Sequence, residues 1–546
     1  MKKYIFPTVT ILCLLIGFLI GNSVSNNAKA QQINWSRLLT PPSKVDQLLL
    51  YMSRSYVDAI DVDSITEEMM NVLVEKLDPH SAYIPKKDLD LVNSELSASF
   101  SGIGVQFNIQ NDTVCIVAVI PGGPSEAIGL LAGDKIILVD DSIFSTKGIN
   151  NERVMHTLRG PKGTQVKLSV RRAGTPELLE YVITRGDIPV HSVDASFIIR
   201  NHIGYVKVNK FSETTYEEFM SALAKLKAEG ATSYIVDLRE NSGGYMDQTI
   251  RMANEFLRSG QLIVYAEGRA YPRYEATANG LGRFKDVPLV VLINEFSASA
   301  SEIFAGAMQD NDRAVVIGRR SFGKGLVQQQ LPFTDGSAVR LTVARYYTPS
   351  GRCIQKPYTL GDQRDYEKDL LERFEHGEFY SVDSIHMQDT TKYYTAGGRV
   401  VYGGGGILPD IFVGRDTTLN TPFYNKCVNM AYTYQFAFQY TDRNRKTLSK
   451  YKDWQSLEKY LLKAGVLKDF LRFADSKGVN AQDSTLYLYS TLTFDEQVRK
   501  STPLLNRLLC AYIVRNMLDD NGFYAIFERD DEITVRALEE LEKKKK

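Results

Sequence analysis

The chain has 546 residues, 44% hydrophobic and 24% charged, which excludes a disordered or low-complexity polymer and asks for two to four domains. Its 65 basic and 65 acidic side chains cancel, so no global charge calls for a nucleic-acid partner. Five scattered cysteines without a C-x-x-C pair give neither metal-ligand spacing nor a dense disulfide framework, and no cofactor is expected.

At the N-terminus "MKK" precedes an apolar run from Tyr4 to Ile20, and "NAKAQQ" follows. A charged n-region, an apolar h-region and an A-x-A site describe an export signal over residues 1–30. The competing reading is an uncleaved membrane tether, since about 16 apolar residues fall just short of a comfortable span. Either way the body of the chain is expected outside the cytoplasm, in the periplasm or on the outer face of the bacterial cytoplasmic membrane.

Residues 31–96 carry helical periodicity, as in "KVDQLLLYMSRSYVDAI" and "ITEEMMNVLVEKL". Residues 97–187 switch to short alternating strands separated by turn signals, among them "GIGVQFNIQ", "TVCIVAVI" and "TQVKLSVRR", which predicts a compact β-rich module. From 188 to 415 strands and helices alternate, the pattern of a mostly parallel, helix-covered sheet. A polar stretch over about 361–395 interrupts that pattern and is expected to be a surface insertion. Residues 416–546 are mostly helical and aromatic, ending in the solvated run "EELEKKKK". Amphipathic helices at both ends of the chain predict self-association into a homo-oligomer, because such faces need a partner surface.

Parallel sheets bind ligands at the carboxyl ends of their strands. Three small-residue loops fall there: "RENSGG" after "YIVDL", "EFSASAS" after "VVLI", and "RRSFGKG" after "AVVIG". The second holds Ser297, Ser299 and Ser301. A serine hydroxyl needs a base to become a nucleophile, and none of the six histidines lies in these loops. Lys324, between two glycines, is the other candidate base; burial would lower its pKa by disfavouring the ammonium. The plain alternative is an exposed turn lysine or a phosphate ligand. Of the three serines, Ser299 sits at the strand-to-helix junction, with the amide of Ala300 free to act as an oxyanion donor at a helix start. Gly243 of "SGG" offers a second amide, or merely a tight turn. Spacing favours Ser299 only slightly over its neighbours.

"SASASEIFAGAMQD" followed by "SFGKGLVQQ" resembles the signature of the carboxyl-terminal processing (tail-specific) serine peptidases. "DPHSAYI", "DLRENSGG", "RYYTPSGRCIQ" and "GGGILPD" resemble further blocks of that family in the same order, so the likeness runs from Leu77 to Val413. It implies an α/β fold: a ClpP/crotonase-like protease core with an inserted β-rich PDZ domain and helical regions at both ends. It also implies Ser299 as nucleophile, Lys324 as general base, Gln328 as the group orienting that lysine, and a structural role for Asp310. The β-rich module resembles the family's PDZ domain. The amides of Ile103, Gly104 and Val105 would then cradle a terminal carboxylate, and Ile103, Val105 and Phe107 would line a pocket for the last side chain. The expected partners are proteins with free, apolar C-termini. The strand "VRLTVARYYT" is open to pairing with substrate backbone or to a structural edge role. The insertion and the helical tail depart from the family pattern, and a non-catalytic PDZ scaffold is the alternative function.

Overall fold

The computed structural model describes residues 43–543 except 95, 98, 111, 121, 132, 173, 387 and 388. The expected export signal, residues 31–42 of the first helical region and Cys13 lie outside the described residues. The chain divides into two compact units between Val72 and Leu73. In the first, a capping box starts helix Lys44–Ser55: Ser43 Oγ accepts from the Asp46 amide at 3.2 Å, and Asp46 Oδ2 accepts from the Ser43 amide at 2.9 Å. No residue of this helix is buried, and Leu48 and Tyr51 stand exposed. A second helix starts at Val62. Among the described residues no helix is long and apolar enough to cross a membrane.

The second unit begins its β-rich module with an antiparallel sheet of Val105–Gln110, Thr113–Val119, Lys135–Val139, Gln165–Arg171 and Leu179–Thr184. Alternation puts Val114, Ile116, Ile136, Leu168 and Ile183 inside, against Val154 and Leu158 of helix Asn151–Leu158. Asn150 caps that helix by accepting from the Arg153 amide. Val105–Gln110 is one edge strand of this sheet, and Leu179–Thr184 is the other.

The α/β core is a six-stranded sheet in the order Val193–Arg200, Ile203–Val208, Ser233–Asp237, Leu289–Ile293, Val315–Gly318 and Ile411–Phe412. The first pair is antiparallel and the remaining pairs are parallel. Its inner strands are buried on both faces, hence their unbroken apolar runs. Helices Thr215–Ala228, Met246–Asn254 and Ala300–Asp310 cover one face. The other is covered by helix Glu532–Lys543, whose Ile533, Ala537, Leu538 and Leu541 pack on Tyr205, Ile235, Val290 and Leu292. The last helix of the chain therefore completes the core. The helices between Pro422 and Phe527 bury their own cluster around Phe423, Phe470 and Leu509.

A second, antiparallel sheet joins Ala82–Ile84, Leu326–Pro332, Leu262–Glu267 and Tyr274–Thr277 around Ala338–Tyr347. Ala338–Tyr347 pairs along its length with Leu326–Pro332, and on its other side with Ala82–Ile84 at Ala338–Arg340 and with Leu262–Glu267 at Arg345–Tyr347. The insertion differs from expectation. Helix Gln363–Glu375 buries Tyr366 and Arg373, and Arg373 donates to the carbonyls of Arg320 and Ser321 at 2.8 and 3.1 Å. A stretch that looks solvated in sequence thus grips the loop that carries Lys324. Cys115, Cys353, Cys427 and Cys510 are all free thiols.

Candidate active site

Because the central strands run parallel, the Arg239–Gly244, Asn294–Ser299 and Arg319–Lys324 loops emerge at the same end of the sheet. Side chains and backbone stitch them together. Ser297 Oγ donates to the Leu238 carbonyl at 2.8 Å, and Ser301 Oγ to the Asn241 carbonyl at 2.8 Å. The Ala298 amide also reaches the Asn241 carbonyl, and the Phe322 amide reaches the Ser297 carbonyl, each at 3.0 Å. Ser297 and Ser301 are wholly buried in these bonds. Ser299 alone of the three is half-exposed, and it lines a cavity of about 450 Å³ with Ala300, Gly243, Lys324 and Gln328.

Ser299 is the N-cap of helix Ala300–Asp310 and adopts φ 54°, ψ −112°. A non-glycine residue there costs on the order of 1–3 kcal/mol and persists only where its surroundings fix it. Here they do. Glu302, wholly buried one turn on, accepts from the Ser299 amide at 2.8 Å and the Lys324 amide at 2.9 Å through Oε2; Oε1 accepts from Ser321 Oγ and the Gly323 amide at 2.5 and 2.7 Å. Tyr346 Oη is shared between the carbonyls of Ser299 (3.0 Å) and Lys324 (2.5 Å). Burial pushes the Glu302 carboxyl up to about 7, against the pull of its four donors. The sequence signal for Glu302 was the S-x-x-E spacing from Ser299; nothing local marks Tyr346.

Lys324 Nζ donates to Gln328 Oε1 at 3.0 Å. Gln328 Nε2 donates to the His80 carbonyl, so its amide is fixed with the oxygen toward the lysine. Among the described residues Nζ makes no hydrogen bond to Ser299 Oγ, although both line the cavity. Burial, and then the charge of Arg340, hold the Lys324 ammonium below the usual lysine range. His80, missed in the sequence, packs Nε2 against Tyr366 Oη at 2.9 Å; burial and then Lys324 depress its imidazole to about 4. It is a neutral packing group there.

Gly243 has φ 104°, and a Cβ on it would fall 2.7 Å from Ser299 Cβ and 3.0 Å from the Ala300 nitrogen. Only glycine lets this loop approach so closely. Its amide donates to Asn241 Oδ1 at 2.9 Å. Asp310 lies at the far end of the helix, paired with Arg352 at 2.7 Å and accepting from the Ser350 amide at 3.1 Å. In the β-rich module Ile103 is only 2% exposed and belongs to the core, whereas Val105 and Phe107 are half-buried beside it. Any apolar pocket there is therefore left to Val105 and Phe107. Gly104 takes φ 79° against Ile188, where a Cβ would clash at 2.9 Å.

Residues 202–367 match the model of peptidase family S41, residues 101–182 that of the PDZ domain, and residues 423–519 that of a family of unknown function, DUF8443. The chain is 34% identical over 366 residues to the carboxy-terminal processing protease CtpA of Bacillus subtilis, covering 66% of this chain and 77% of that protein. It is 36% identical over 307 residues to a carboxy-terminal-processing protease of Bartonella bacilliformis, covering 55% and 69% respectively. Among solved structures it resembles a photosystem II D1 C-terminal processing protease, with a TM-score of 0.36 and 24% identity over 69% of this chain and 88% of that one.

Proposed function

The chain belongs to the carboxy-terminal processing proteases of peptidase family S41 and carries a PDZ domain, and from that premise we propose that it is an exported serine endopeptidase working through a Ser299–Lys324 dyad. The observation that carries this reading is the division of labour in "SASAS": two hydroxyls are buried in loop-to-loop bonds, and the third faces a cavity shared with a desolvated lysine.

In the reaction, neutral Lys324 takes the Ser299 proton as Oγ attacks the peptide carbonyl. Gln328 keeps the amine aimed. The Ala300 amide, at the helix start, holds the developing oxyanion. The Gly243 amide supplies a second donor by exchanging Asn241 Oδ1 for the substrate oxygen. Protonated Lys324 then gives its proton to the leaving amine; water attacks the acyl carbonyl as the same lysine takes its proton, and Lys324 returns that proton to Ser299 Oγ as the acid leaves. Nζ is bonded to Gln328 Oε1 here, and the proposed step has it bond Ser299 Oγ as well.

Substrates would be proteins with free, apolar C-termini. Their last residues add to the open edge of strand Val105–Gln110, the terminal carboxylate meets the amides of Ile103, Gly104 and Val105, and the last side chain rests on Val105 and Phe107. The exposed apolar residues of helix Lys44–Ser55 support self-association. The "MKK"–apolar–"AKA" leader supports export to the periplasm or the outer membrane face, whether cleaved or kept as a tether.

The deciding experiment is cleavage of a peptide with a free apolar C-terminus by wild type, Ser299→Ala and Lys324→Arg. Both variants should be inactive yet melt like wild type, since arginine cannot accept the proton. Turnover by Ser299→Ala would overturn the dyad, and equal rates on an amidated peptide would overturn PDZ recognition.

A further inference from the structure

Arg340, on strand Ala338–Tyr347, lines the same cavity as Ser299 and Lys324. Its partner is a neutral amide: Nη2 donates to Gln330 Oε1 at 3.2 Å. Among the described residues that line the cavity there is no aspartate or glutamate. The arrangement repeats that of the lysine. Gln328 holds Lys324 by its oxygen and docks its nitrogen on the His80 carbonyl. Gln330 holds Arg340 by its oxygen and docks its nitrogen on Asn93 Oδ1 at 3.0 Å. Each cation is bonded by a glutamine, and among the described residues neither makes an ion pair.

For Lys324 the proposed chemistry explains that: the base must be able to lose its proton. Arginine cannot act as a base at any working pH, so its charge beside the dyad needs another account. A guanidinium has five donors in a planar fork suited to a carboxylate, and Gln330 occupies one edge of it. Part-buried charge without a counter-ion is costly, and an incoming carboxylate would offset that cost. The rest of the wall includes Val92, Leu96, Met246, Ile303 and Leu326, so the cavity sets an apolar region beside the permanent charge of Arg340 and the amine of Lys324.

We propose that Arg340 sets cleavage specificity by pairing with a carboxylate on the substrate segment that crosses the cavity, so that bonds beside an aspartate or glutamate are cut preferentially. This rests on the peptidase reading of the same cavity. In that reading the PDZ domain already holds the terminal carboxylate, so the group at Arg340 is an acidic side chain.

The test is a set of peptides sharing one free apolar C-terminus, with Glu, Gln or Lys placed in turn at each position flanking the cleaved bond, cut by wild type, Arg340→Gln and Arg340→Lys. A charge-assisted pair predicts that wild type favours Glu over Gln by about tenfold in kcat/KM at one position. The preference should collapse in Arg340→Gln and partly survive in Arg340→Lys. Arg340→Gln should also slow every peptide near neutral pH, because it raises the proton affinity of Lys324, so the Glu-to-Gln ratio is the quantity to read. A ratio near one in wild type, or one unchanged in Arg340→Gln, overturns the proposal and leaves the peptidase reading intact. Cleavage that follows only the distance to a free terminus, whatever the flanking residue, would assign Arg340 to the terminal carboxylate and overturn the side-chain preference. No turnover of any peptide would overturn both readings.

Discussion

Glu302 and Tyr346 hold the same two residues by opposite ends of their peptide units: Glu302 Oε2 accepts from the amides of Ser299 and Lys324, and Tyr346 Oη meets their carbonyls. The backbones of Ser299 and Lys324 are thus tied to the same two side chains, while Gln328 holds the lysine amine. Glu302→Gln replaces a four-acceptor carboxylate with a group that must turn a donor toward an amide. It should lower kcat by about a hundredfold while costing about 1–3 kcal/mol of stability. Tyr346→Phe, which leaves two carbonyls without their donor, should cost about 1 kcal/mol and a smaller loss of rate. Single-turnover rates alongside thermal melts separate the two effects; a Glu302→Gln enzyme that is merely less stable, with kcat unchanged, would remove the positioning role.

With the proposed dyad the pH profile should carry a rising acid limb of about tenfold per unit, because only a neutral lysine could take the serine proton. Burial and Arg340 lower the pKa of Lys324, while Asp78 and Glu302 raise it less. Glu302 adds to the limb with the same sign: below about 7 it takes up a proton, one of its three backbone donors loses an acceptor, and the Ser299–Lys324 spacing loosens. Removing the guanidinium with Arg340→Gln should move the lysine part of the limb to higher pH. A limb that stays in place would show that the charge of Arg340 does not reach the base.

Much of the fold was legible because its signals are local. Apolar runs at Leu289–Ile293 and Ser233–Asp237, each followed by a small-residue loop, place the site at the carboxyl end of a parallel sheet before any contact is known. Which serine faces the cavity was not legible. It depends on carbonyls of Leu238 and Asn241, some sixty residues away in sequence. Arg340 and Tyr346 reach the site through strand pairing, and Arg373 is buried against a residue type's usual preference for solvent. The periodicity at Ile533, Ala537, Leu538 and Leu541 announces an amphipathic helix but not the sheet it covers.

The insertion should matter to catalysis because Arg373 ties down the loop before Lys324. Its Nε pairs with Glu378 Oε1 at 2.9 Å, and Glu378 also binds Arg320 at 2.6 Å. Arg373→Ala strips two donors from the carbonyls of Arg320 and Ser321 and removes one of the two guanidinium partners of the buried Glu378. The expected cost is about 3 kcal/mol by denaturant unfolding, with a loss of activity of tenfold or more. Arg373→Lys keeps the charge but cannot span both carbonyls, and should fall between. Full activity in Arg373→Ala would make the insertion an independent appendage.

Deleting the chain from Glu532 onward should be far more damaging than its distance from the cavity suggests. Ile533, Leu538 and Leu541 pack on the centre of one face of the parallel sheet, and burying a large aliphatic side chain contributes about 1.5–3 kcal/mol. Three of them approach the full stability of a typical domain, about 5–15 kcal/mol. The same deletion removes Thr534, a neighbour of Arg239, which also binds Glu528 and Asp531 at 2.5 and 2.7 Å. Arg239 stands at the head of the loop that brings Gly243 against Ser299, so damage at the helix is transmitted to the site. The truncated protein should be insoluble or bind a hydrophobic dye strongly and fail to turn over substrate. Leu538→Ala, a milder lesion of the same face, should cost about 2–5 kcal/mol and keep activity at low temperature. A soluble, active truncation would mean that the sheet tolerates a bare face, and the assignment of this helix to the catalytic core would have to be given up.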